Sequence, residues 1–257
     1  MNQEERRRFL IEELLQERPS CRRQEIPADT DRQKVLLRSL MNVRHPGAIS
    51  QRFLEVQDAY LQGELAAKKI TRLSELSPLQ NGIYLWRGDI TTLDCGAIVN
   101  AANSGMTGCY QPCHNCIDNC INTFAGVQLR LKCAEIMEQQ GYEEPTGQAK
   151  ITPAYNLPCD YVIHTVGPIV RGELTRQHCE LLKSCYRSCL ELADENNVGS
   201  IACISTGIFM FPNDRAAEIA VQTVQEYKAE TGSKIEVVFN VFKEQDERIY
   251  RKLLSAD

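Results

Sequence analysis

Residues 97–105 read AIVNAANSG. A short apolar run ends in an asparagine, passes a second asparagine three positions on, and leaves through Ser-Gly. An unbroken apolar run of this length fits a strand buried on both faces of a sheet. Turn chemistry accounts for Asn103 and Gly105. Asn100 is less easily explained that way, because it stands where the strand ends. An amide side chain there offers two donors and an acceptor, the mixture that sugar hydroxyls need.

Outward from this stretch the same grammar repeats. GIYLWRG (82–88), SIACIST (200–206) and KIEVVFNVF (234–242) read as strands, and GQAKITPAYNLPCDYVIHTVGP (147–168) as two strands around a Pro-bearing loop. Between them lie helical patterns: residues 118–141, read as one helix ended by Gly141; 175–197; 213–232, capped by Asn213; and a final helix from 244. Strands alternating with helices imply a mostly parallel sheet covered on both faces, with ligands beyond the carboxyl ends of its strands. Residues 1–80 read differently, as three amphipathic helices. The second, TDRQKVLLRSLMNVR (30–44), has a Thr/Asp start signal and an apolar set of Val35, Leu36, Leu40 and Val43. The expected division is therefore a helical extension over 1–80, packed on a main domain over 81–257.

Composition narrows the function. With 257 residues, 43% apolar, 25% charged and a net charge of −5, a duplex-binding surface is not suggested. No stretch has the ~20 apolar residues of a membrane helix, and the charged N-terminus is unlike a signal peptide. The expectation is a soluble, cytoplasmic protein that binds neither nucleic acid nor membrane. Twelve cysteines without a secretory signal read as thiols, most of them small core residues.

Three strand exits and one loop hold the chemistry. In RGDITTLD (87–94) Asp89 is either a turn cap or an acceptor for a ligand amino group. In STGIFMFPNDRAAE (205–218) small residues before a helix start can expose backbone N–H groups to an anion, without the GKS/T of a P-loop. Phe209 and Phe211 line a pocket or fill the core. GCYQPCHNC (108–116) crowds three cysteines and a histidine into eight positions. Such a set can hold a catalytic metal on three ligands, a closed structural Cys3His zinc, or a C-x-x-C redox pair.

RGDIT, AIVNAAN, PTGQAKIT, YVIHTVGP and STGIFMFP occur in the order and spacing of a macrodomain, and the chain from about residue 80 resembles that family. The resemblance implies a three-layer α/β/α fold around a mixed, mostly parallel six-stranded sheet that binds ADP-ribose. It implies Asp89 at the adenine amino group with Ile90 beside it, Asn103 at the distal ribose, and Ser205, Thr206, Gly207, Ile208 and Phe209 around the diphosphate. Thr165, Val166 and Gly167 are structural neighbours in the pattern, and His164 reads as an internal, hydrogen-bonded histidine. Met210 stands where many members have glycine. The chain is most similar to the MacroD-type hydrolase branch. Where that branch has a glycine-rich loop, this chain has GMTGCYQPCHNCIDNCIN (105–122), which resembles the zinc-dependent macrodomains of microbes through G-C-x4-H-x-C followed by I-D-N. That resemblance implies zinc on Cys109, His114 and Cys116, with Cys113 the spare, and Asn103 and Asp118 as catalytic residues. The expected function is zinc-dependent removal of mono-ADP-ribose from modified proteins. A sirtuin-type transferase is implied as the opposing enzyme, and a lipoylated carrier protein as an acceptor. Rival expectations are a non-catalytic ADP-ribose reader, an O-acyl-ADP-ribose deacylase and a structural-zinc interaction module.

Overall fold

The computed structural model describes residues 1–18, 25–204 and 210–255. Its centre is a six-stranded sheet. The strands are β2 (Ile83–Arg87), β4 (Ala97–Ala101), β5 (Ala149–Pro153), β6 (Tyr161–Thr165), β7 (Ser200–Ile204) and β8 (Glu236–Val241). They lie in the order β2-β8-β7-β4-β6-β5, and all neighbours run parallel except the edge pair β5/β6. A two-residue ladder, β1 (Thr71–Arg72) with β3 (Leu93–Asp94), flanks it.

Side-chain alternation along the strands builds the two faces. Ala97, Val99, Ile201, Cys203, Val237 and Phe239 point to one side. There they meet α6 (Arg176–Glu195), α7 (Asn213–Thr231) and α8 (Glu244–Leu254). Ile98, Val162, Ala202 and Val238 point to the other, against α4 (Ile117–Ala125) and α5 (Val127–Gln140). This alternation decides where the polar strand ends face. Asn100 follows Ile98, His164 follows Val162 and Asn240 follows Val238, so all three lie on the α4/α5 side, at the carboxyl ends.

The expected helix over 118–141 is two helices. Gly126, with φ +99°, ends α4 and precedes α5, a backbone conformation that a side chain resists. Its φ is not visible in a pattern of apolar spacing. Asn213 does not cap α7 either; Pro212 occupies that position, and the Asn213 amide donates instead to Asp246 at 2.6 Å.

The N-terminal helices α1 (Gln3–Gln16), α2 (Thr30–Asn42) and α3 (Gln51–Ala66) enclose a third apolar cluster, which reaches Val127 of α5. Helix α2 is capped by Asp29 rather than by Thr30 or Asp31, and it buries Gln33, Leu37, Leu40, Met41 and Asn42. Val35 is 59% exposed, and although Leu40 belongs to both sets, the buried face is turned about a third of a turn from the expected one. The polar members are turned inward for a reason: Gln33 accepts from Arg7, and Asn42 reaches the main domain. Among the described residues no helix is long and apolar enough to cross a membrane.

Candidate active site

Asp118 lies in the first turn of α4, under the end of β4, and is 5% exposed. Its Oδ1 accepts from the amides of Asn100 (2.8 Å) and Asn122 (3.1 Å). Oδ2 has only a 3.5 Å contact with Asn103 Nδ2, so this is the carboxylate oxygen left for a further partner. Burial pushes the carboxyl up to about 6, and the Asn100 bond, the Arg130 charge and the Asn122 bond pull against it.

Asn100 is fully buried and bridges two groups. Besides Asp118, its Nδ2 reaches His164 Nδ1 at 3.1 Å, across the β4/β6 register that pairs these two residues. His164 is also fully buried, with Nε2 2.9 Å from Thr152 Oγ1. It is thus an internal histidine, bonded through both ring nitrogens.

Asn103 shapes the loop that follows β4. Its Oδ1 accepts from Gly105 N at 3.0 Å, and its Nδ2 donates to Gly108 O at 3.1 Å. Gly108 has φ +85°, and a Cβ there would lie 2.7 Å from the Asn122 amide, so the chain passes this point only as glycine. Cys109 comes next.

The structure brings Cys109, His114 and Cys116 together, with one ligand atom from each lying within 4.8 Å of the others. Cys109 Sγ is 3.8 Å from His114 Nδ1. Zinc bond lengths of roughly 2.3 Å to sulfur and 2.0–2.1 Å to nitrogen, at a tetrahedral angle, require a sulfur–nitrogen separation of about 3.6 Å. The donor set and its spacing therefore fit zinc. Cys116 is the N-cap of α4, and its sulfur accepts from Asn119 N at 3.4 Å. Without a cation, burial and the neighbouring Cys109 thiol raise its pKa. A metal ion reverses that balance and takes both as thiolates. Cys113 is not in the group: its thiol is directed at Val35 O, 3.5 Å away on α2.

Beyond the carboxyl end of β2 Asp89 does act as a cap, since its Oδ1 accepts from Thr91 N and Oγ1 at 3.0 and 2.7 Å. Both bonds fall on the same oxygen, so a cap and a ligand contact through Oδ2 are compatible. Ile90 is buried in the apolar cluster below, leaving its backbone as the part that can meet a ligand. Ser205, Thr206, Gly207, Ile208 and Phe209 lie outside the described residues. Phe211 is 3% exposed and belongs to the core, whereas Met210 is exposed with φ +57°, a backbone conformation that favours glycine. Two residues escaped the sequence reading. Asn240 Nδ2 donates to Gly88 O at 3.1 Å and fixes the turn that carries Asp89. Phe242, just past β8, is 77% exposed beside that turn, where Gly88 N meets Val241 O at 3.1 Å. A polar residue inside the apolar run VVFNVF was the available signal for Asn240; nothing local marked Phe242 as exposed.

With this geometry in view, the known proteins most like the chain are informative. A family model described as Macro domain matches residues 99–220. A protein-ADP-ribose hydrolase of Treponema medium is 62% identical over 261 residues, covering 99% of this chain and 100% of that protein. One from Staphylococcus aureus (strain MSSA476) is 48% identical over 253 residues, covering 97% and 95%. Among solved structures, the Trypanosoma brucei macrodomain in complex with ADP-ribose superposes with a TM-score of 0.65 at 27% identity, over 84% of this chain and 94% of that one. The fold and relatives matched over nearly their whole length agree, and the chain belongs to the macrodomain family.

Proposed function

We propose that the protein is a zinc-dependent hydrolase that binds ADP-ribose and removes mono-ADP-ribose from modified proteins. The observation that carries this reading is the pairing of a buried carboxylate, Asp118 in the first turn of α4, with the Cys109–His114–Cys116 triad on the loop that leads into that helix. A reader needs neither. The names of the Treponema and Staphylococcus relatives and the ADP-ribose in the trypanosomal macrodomain support it.

The parts divide the work by position. Asp89 accepts from the adenine amino group, and Phe242 offers its exposed face for stacking on the base. Residues 205–209 supply backbone donors to the diphosphate. The distal ribose then lies at the 103–118 loop, where Asn103 steers it and Asp118 Oδ2 orients a water or takes its proton. What zinc supplies, when bound, is Lewis acidity toward a water or toward the ribose and scissile oxygens. Three protein ligands leave the fourth position that such a role needs, as a closed Cys3His site would not. Water adds across the bond between ribose and acceptor, giving ADP-ribose and the unmodified side chain. The reducing cytoplasm suits a protein whose described cysteines are all unpaired. A lipoylated carrier protein modified by a sirtuin-type transferase is the first acceptor to try.

The test uses a mono-ADP-ribosylated acceptor with holo, chelator-stripped and zinc-restored protein, beside Cys116→Ala. Release of ADP-ribose is expected to vanish on stripping, return with zinc, and be absent in the variant. Activity that survives both metal removal and the substitution contradicts the metal role. Activity on O-acyl-ADP-ribose but on no protein acceptor favours the deacylase.

A further inference from the structure

The loop that carries the metal triad has no regular structure of its own over residues 109–116. Asn119 of α4 holds its first half, donating to Gln111 O at 2.9 Å, and what fixes its second half comes from outside the α/β/α layers. Arg38, on α2, donates through Nη2 to the backbone oxygen of His114 at 2.7 Å and to Asn119 Oδ1 at 3.1 Å. One turn on, Asn42 is buried and uses both ends of its amide. Its Oδ1 accepts from Cys113 N at 2.9 Å, and its Nδ2 donates to Thr123 Oγ1 on α4 at 2.9 Å. The 113–114 segment is thus gripped at its first N–H and its last C=O by two residues of one helix. Arg130 of α5 ties the same helix in from below. It collects the carbonyls of Met41, Asn42 and Arg44 at 2.6–3.2 Å and extends to Cys109 O at 3.4 Å.

The grip has two consequences for the ligands. Cys113 is held with φ +53°, and its thiol is turned to the helix at Val35 O. The next residue, His114, is thereby turned the other way, toward Cys109. A free loop could bring either Cys109 or Cys113 to a metal alongside His114 and Cys116; this one brings Cys109.

We propose that Arg38 and Asn42 are positioning residues of the metal site: the N-terminal extension sets the ligand set, presenting His114 and withholding Cys113. The inference rests on the metal reading above. Groups that orient metal ligands typically contribute 10- to 100-fold in metal affinity, and backbone clamps on a loop act by the same route.

The experiment measures zinc affinity of the full chain by chelator competition, together with the thiolate-to-cobalt charge-transfer absorption of the cobalt-substituted protein. Wild type is compared with Arg38→Gln, Arg38→Lys, Asn42→Ala and Cys113→Ser. Melting curves and ADP-ribose affinity are taken on the same samples. Arg38 is only half-buried, so its variants keep the core intact. Arg38→Gln and Asn42→Ala are expected to lose roughly 10- to 100-fold in zinc affinity with ADP-ribose affinity unchanged. Arg38→Lys, which keeps one donor, should fall between Arg38→Gln and wild type, and Cys113→Ser should match wild type in zinc affinity and in charge-transfer intensity. Folded Arg38→Gln and Asn42→Ala variants with wild-type zinc affinity overturn the inference, as does a loss of charge-transfer intensity in Cys113→Ser. Wild-type protein that binds neither zinc nor cobalt refutes the metal reading itself, and this inference with it.

Discussion

Asn100 spends both hydrogens of its amide, one on Asp118 and one on His164. That assigns the histidine: Nδ1 accepts, so the proton sits on Nε2 and is donated to Thr152. Burial fits this neutral form, pushing His164 down to about 4. The linkage follows. Between pH 4 and the ordinary value near 6.5, an unfolded chain binds a proton that the native site refuses. Stability from this residue is therefore complete above pH ~6.5 and is lost as pH falls toward 4, by about 3 kcal/mol at most. Denaturant titrations from pH 4.5 to 7.5 should show a flatter pH dependence in His164→Gln than in wild type, even though the variant is less stable throughout; equal slopes would contradict the assignment. At this scale the sequence was partly legible. Asn103 and Asp118 stood out because their motifs are short and local. Asn240 did not, because the turn it fixes lies 152 positions away in the chain.

Elements were legible where periodicity alone makes them. The six strands of the sheet and helix α6 follow directly from runs of apolar residues and from turn residues between them. The break between α4 and α5 was not, since a single glycine inside a helical pattern is ordinarily tolerated. Here Gly126 is forced by its neighbours. Gln57 of α3 accepts from Val127 N at 2.9 Å, closing the open end of α5, and donates to Gln128. A Cβ on Gly126 would lie 2.6 Å from the amide nitrogen of Gln57 and from Gln128 Oε1. Gly126→Ala is therefore expected to cost about 1–3 kcal/mol from the backbone conformation, with a further loss as Gln57 is displaced. Urea denaturation measures it. A change below ~0.5 kcal/mol would mean that the junction is more pliant than its contacts imply. The face of α2 was misread for a related reason: its buried Gln33 and Asn42 are polar, so a hydrophobic pattern could not include them.

Across the whole molecule, β2, β8, β7, β4 and β6 run parallel, so their carboxyl ends all lie at one edge of the sheet. The helical extension packs on that framework, with α2 and α3 bonded to the loop, to α4 and to the start of α5. The sequence already sets Asp118 two residues past Cys116, but only the folded chain shows its carboxylate buried and joined to Asn100. The central claim is that this cluster breaks the bond to ribose rather than only holding the nucleotide. Single-turnover release of ADP-ribose from a mono-ADP-ribosylated protein, by zinc-loaded wild type and Asp118→Asn, tests it most directly when equilibrium ADP-ribose affinity is measured alongside. The rate in the variant is expected to fall by about 10²- to 10⁴-fold, with affinity changed only a few-fold. A variant that releases ADP-ribose at the wild-type rate, or a zinc-loaded wild type that binds ADP-ribose yet frees none from any acceptor, would contradict it.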